Sequence, residues 1–116
     1  MAAQESNKKT GTIYPGDLKE HLLEGEFSEV PDDVRRYHAR GQLVFRITDD
    51  EQGNVVKINH VSGFKSSKIL SEYVTETVAK WKFKPRIVDR EPREFSTNLV
   101  VYFWYGSFPI KRPEKD

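Results

Sequence analysis

Trp81-Lys82-Phe83-Lys84-Pro85 constrains this chain more than any other stretch. Upstream, Ile69 to Lys80 reads as helix, with Leu70, Val74, Val78 and Trp81 at spacings of four, four and three on one face. Ile69, Tyr73 and Thr77 widen that face, as suits a helix lying on a sheet. Pro85 lacks a backbone donor and holds Lys84 extended, so the helix ends before it. Trp81 and Phe83 then plug one core from a corner. Together with Phe45, Val74 and Pro85 they make the expected structural core.

Lys80, Lys82, Lys84 and Arg86 alternate with the two rings, a pattern also found on single-strand nucleic-acid platforms. The rings are in phase with the apolar side of the helix, so the cations read as its solvated rim. A formal charge of +1 gives no general attraction for polyanions, and no nucleic-acid partner is expected. With 116 residues there is room for one domain and one core. Hydrophobic content of 36% against 32% charged residues makes the chain polar, which implies that part of it is tail. The absence of cysteine excludes disulfides, a thiolate nucleophile and zinc-thiolate sites. No run approaches a membrane span, and Met1 to Thr10 lacks the apolar segment of a signal peptide. The expectation is a cytosolic protein or a soluble piece of a longer one.

Met1 to Thr12 is polar and aperiodic and reads as disordered. Ile13-Tyr14-Pro15-Gly16 signals a turn. Asp17 and Glu20 have capping-box spacing, with Leu18, His21 and Leu22 as one side of a short helix ending at Gly25. Residues 1–26 are thus a flexible lead-in with a possible short helix, 27–108 the domain, and 109–116 a charged tail. A second helix is expected from Pro31 to about Ala39, closed by Gly41, with Asp32 and Asp33 at its positive end. From Gln42 the period becomes two: Leu43, Phe45 and Ile47 alternate with Gln42, Val44, Arg46 and Thr48 in a half-buried strand. Asp49 to Asn54 is a tight acidic turn into a second strand, Val55 to Val61. It lacks the ligand spacing and terminal Glu of a calcium loop. Ser66 or Ser67 caps the long helix, and Phe64 packs from the loop before it. After a charged loop from Arg86 to Arg93, Glu94 to Tyr105 is a long strand. Val100, Tyr102 and Trp104 form its second face, expected on an open side or under a partner.

Enzyme chemistry is not expected. His21, His38 and His60 are scattered without metal-ligand spacing, and Ser66-Ser67 lacks the glycines of a nucleophile elbow. No acid, base and pocket assemble, and no cofactor or metal is implied.

Read from Val30 to Tyr105, the chain resembles the carboxyl-terminal domain of TonB-type energy transducers. Val30-Pro31 and Gly41 keep the spacing with which that domain opens, Val30 standing where the family has tyrosine. Gln42 to Ile47 resembles its first strand, Gly53-Asn54-Val55 its hairpin turn and Val61-Ser62-Gly63 its strand end. Trp81 to Pro85 resembles its Trp-basic-aromatic-x-Pro signature, and Val100 to Trp104 its final strand. The resemblance implies an α+β fold, three antiparallel strands with two helices packed on one face. It implies a periplasmic domain, tethered to the inner membrane by a segment outside this chain, with no membrane contact of its own. Its partner would be the box peptide of a TonB-dependent outer-membrane receptor, added as a strand to drive uptake of substrates such as siderophores. By position Leu99, Val100, Val101, Tyr102 and Phe103 would offer the edge, and Glu29, Val30 and Pro31 would lie near the receptor. The alternative is a scaffold or secretion-apparatus domain that uses the same edge for subunit pairing, as in a homodimer through the last strand. The resemblance does not account for Ile13 to Phe27, which either covers the sheet edge or is a remnant of linker.

Overall fold

The computed structural model describes residues 11–27, 29–63 and 67–111. The readings of Met1–Thr10, Phe64, Ser66 and residues 112–116 lie outside them. In chain order the elements are β1 (Thr12–Ile13), a 3-10 turn (Pro15–Asp17), α1 (Leu18–His21), β2 (Leu22–Glu24), α2 (Asp32–Arg35), β3 (Arg40–Asp49), β4 (Val55–Ser62), α3 (Lys68–Val78), β5 (Lys82–Phe83), β6 (Arg86–Val88), β7 (Glu91–Arg93) and β8 (Phe95–Trp104).

β3 and β8 are antiparallel over ten residues each, from Arg40 opposite Trp104 to Asp49 opposite Phe95. Their odd-numbered residues Leu43, Phe45, Ile47, Leu99, Val101 and Phe103 share one face and are buried. α3 closes on that face with Leu70, Val74 and Val78, also buried. Burying each of these aliphatic side chains contributes roughly 1.5–3 kcal/mol over leaving it exposed. Ser67 starts α3, its side-chain oxygen accepting from the Leu70 N–H at 3.3 Å. Trp81 and Phe83 complete the core at the corner. Pro85 does not join them: it is exposed and acts on the direction of the backbone. Ile69 is exposed as well, so the buried stripe of α3 is narrower than its sequence suggests.

The acidic turn is built by Asp50, whose carboxylate accepts from the N–H groups of Gln52 and Asn54, both at 2.9 Å. Gly53, at φ +91°, brings this turn against the corner, and the Phe83 N–H donates to the Gly53 carbonyl at 2.8 Å.

The sheet has four strands, in the order β1-β8-β3-β4, not three. The added strand comes from the lead-in: β1 pairs parallel with β8, Thr12 opposite Asn98 and Ile13 opposite Leu99. β2 pairs antiparallel with β5, Leu22 opposite Phe83, which leaves α1 a single turn. Pairing with the corner competes with helix here, and a short isolated helix has little stability to oppose it. The stretch read as a lead-in thus carries two short strands, a 3-10 turn and a single helical turn between Gly11 and Phe27. Phe27 stacks on Phe108 at 4.5 Å and meets Trp81 edge-on at 5.1 Å, joining the lead-in to the segment after β8.

α2 stops at Arg35 instead of continuing towards Ala39. The Arg36 and Tyr37 N–H groups close on Asp32 and Val34, and from Arg40 onward β8 claims the backbone, Gly41 included. The charged stretch after Pro85 is a small hairpin, β6 with β7, turning through Asp89 (φ 54°) and Arg90 (φ 69°). Both turn residues take the left-handed conformation of a primed hairpin turn.

Candidate functional site

The Asn98 N–H donates to the Gly11 carbonyl at 2.9 Å, on the side of β8 away from β3. Alternation along a strand then sends the backbone groups of Val100, Tyr102 and Trp104 to that same side, and those of Leu99, Val101 and Phe103 to β3. Trp104 closes on its own turn, donating to Ser107 at 3.0 Å. Tyr102 stands between these two ends. β1 does not reach it, because Pro15 carries the chain out of the ladder into the 3-10 turn, and its outward N–H and C=O find no backbone partner among the described residues.

The residues expected at a partner surface fall into three groups. Leu99, Val101 and Phe103 point into the core and are buried. Val100 and Tyr102 lie on the opposite face and are also buried as whole residues, at 3% and 9% exposure, so this stretch of β8 is covered in the structure. Trp104 on that face is partly exposed, with the Arg40 guanidinium 5.3 Å above its ring. Glu29, Val30 and Pro31 belong to the helical layer. Glu29 lines a cleft of about 330 Å³ with Thr77, Lys80 and Trp81, Val30 packs against the core, and the Pro31 carbonyl accepts from Arg35.

Of the two readings of Ile13 to Phe27, cover of the sheet edge is the one Ile13 meets, but the strand itself, with Thr12 in it, was not foreseen. Thr-Ile-Tyr has the β-branched and aromatic character of a strand, but two paired residues are too few for a period. A second cavity, of about 540 Å³, lies under the lead-in, with Leu18, Leu22, Phe27, Trp81, Phe108 and Ile110 in its wall. At the other edge of the sheet β4 exposes Val56 and Val61.

Charge is concentrated at the β3 end near the small hairpin. Asp49 is buried, and burial pushes its carboxyl above the usual carboxylate range while the nearby Arg86 opposes the rise. Burial likewise lowers Arg86, with Asp49 opposing. The Arg86 guanidinium lies 4.8 Å over the Phe95 ring. Neither its nitrogens nor the Asp49 oxygens have a hydrogen-bond partner among the described residues. His21, on α1, is held below its ordinary value by burial first and Arg86 second. His60 packs on Phe45 at 4.7 Å and its ring nitrogen bonds the Ser62 carbonyl. Among the described residues no three His, Asp or Glu side chains gather as metal ligands, and no helix is long and apolar enough to cross a membrane.

Residues 29–104 match the family model described as the Gram-negative bacterial TonB protein C-terminal. No curated protein matches the chain.

Proposed function

The chain belongs to the TonB carboxyl-terminal family, and from that membership we propose that it is a non-enzymatic periplasmic protein-binding domain. It takes the box peptide of a TonB-dependent outer-membrane receptor as an added strand on β8 and passes on energy from the inner membrane for substrate uptake. The observation that carries this reading is the long strand β8 of a family-matched domain, paired on its outer side by β1 at Asn98 and Leu99 alone. Strand addition pairs backbone donors and acceptors, and since Val100 and Tyr102 are buried as whole residues it requires the lead-in beside β8 to move away. Glu29, Val30 and Pro31 would meet a second segment of the receptor.

The test is an amide NMR titration of the labelled protein with short receptor-box peptides. Shifts gathered along Phe95 to Trp104, with the Tyr102 amide newly protected from exchange, are expected. A folded protein showing no shifts at millimolar peptide would remove the receptor function. Subunit pairing is the second reading, favoured by the exposed Val56 and Val61 on edge strand β4. Concentration-dependent dimerisation with exchange protection along Val55 to Ser62 would select it.

A further inference from the structure

We infer that β1 is a built-in occupant of the partner site. Gly11-Thr12-Ile13 lies on the β8 edge as a parallel strand, and an incoming peptide displaces it and takes over its pattern, running parallel to β8 with an aliphatic side chain in the place of Ile13. This rests on the edge-pairing function proposed above and adds its regulation and the chemistry of its ligand.

The occupant already makes the contacts a partner strand needs. Gly11 supplies the carbonyl that Asn98 bonds, and Ile13 stands opposite Leu99 with its side chain fully buried in the core cluster. An arriving strand must fill that slot, because vacating it exposes core. The occupant is also shorter than its site. β1 covers two of the ten residues of β8, and buried Pro15 has no N–H with which to continue. A partner strand of five or six residues bonds Tyr102 as well, which β1 does not. What favours β1 is attachment: a tethered segment competes at a high effective concentration with no association cost. The apparent affinity of the edge for any peptide is then reduced by the fraction of time β1 is away. The lead-in lies before residue 29, where the family match begins.

The full chain tests this, since it has no cysteine. Thr12→Cys with Asn98→Cys places the two thiols at register partners, and oxidation locks β1 on the edge. A second protein carries Ile13→Pro, which removes the N–H of β1 at its fully buried residue. Two fluorescent peptides are titrated into each, one copying residues 9–16 and one a receptor-box peptide. The expected result is that the oxidised protein binds neither and recovers on reduction, and that Ile13→Pro binds the copy about tenfold or more tightly than the unsubstituted chain. Equal binding by oxidised and reduced protein, or no binding of the copy by Ile13→Pro, overturns the inference. Binding of the copy without any receptor peptide supports the occupied edge and removes the receptor assignment, so the two failures are distinguishable.

Discussion

Gly25 lies flat against the indole of Trp81, so close that a β-carbon on Gly25 would stand 2.5 Å from the Trp81 Cγ. Its φ of +150° is a conformation that side chains rarely adopt. The lead-in leaves β2 through this contact and returns to the ring with Phe27.

Gly25→Ala is therefore expected to destabilise the protein by about 1–3 kcal/mol, through backbone strain and overpacking together. Urea unfolding followed by tryptophan fluorescence measures it. An unchanged midpoint would mean that the lead-in does not press on the ring in solution.

Trp81 itself is 4% exposed, and its indole N–H has no partner among the described residues. Trp81→Ala is expected to cost about 3–5 kcal/mol, the range for emptying a buried aromatic site. Trp81→Phe should cost clearly less, because it removes a buried donor that bonds nothing while keeping a ring against Phe27. If the two variants are equally unstable in denaturant, the indole N–H makes a bond in solution.

His21 gives the fold a pH dependence of definite sign. Its folded pKa is depressed below 6.5 by burial, Arg86 and Lys84, with Glu20 and Asp17 opposing. The unfolded chain therefore binds the proton more readily, and this contribution, fully present above pH 6.5, is lost as pH falls through the folded value. The urea midpoint should drop between pH 7.5 and 5.5 more in the unsubstituted chain than in His21→Asn. Parallel pH profiles for the two would exclude His21 as the source.

Asp49 and Arg86 attract one another in a buried place without forming an ion pair. The Asp49 carboxyl, followed by carbon NMR, should titrate above its ordinary 3.8. Arg86→Met keeps the stem over Phe95 but removes the charge, and should raise the carboxyl further. A fall instead would show that Arg86 does not act on Asp49. The elevated value makes this group's stabilising contribution complete below 3.8 and lost as pH rises through the folded pKa, and Asp49→Asn should abolish that component.

Much of the framework was legible because it is periodic. The alternation around Leu43, Phe45 and Ile47 and the spacing of Leu70, Val74 and Val78 each specify a face, and those faces meet in one core. Local chemistry also reads directly for Ser67, which caps, and Asp50, which turns the chain, whereas the helix expected to run to Lys80 ends at Val78, well before Pro85. Pro85 shows the limit of such reading, since a residue that directs the backbone need not be buried. α2 shows another, because its last expected turn was lost to a ladder with residues sixty positions away.

By itself the sequence determined the α+β character, the two long strands, the helix over them and the aromatic corner. These follow from side-chain period and from backbone restrictions within a few residues. Only the tertiary structure decided that Thr12 and Ile13 pair with Asn98 and Leu99 as a strand, that Leu22 pairs with Phe83, and that Tyr102 lies beyond the reach of β1. The physical reason is that two-residue strands carry no period and little intrinsic stability. They form where structure already in place presents unpaired donors and acceptors, β8 for Thr12 and Ile13 and the aromatic corner for Leu22.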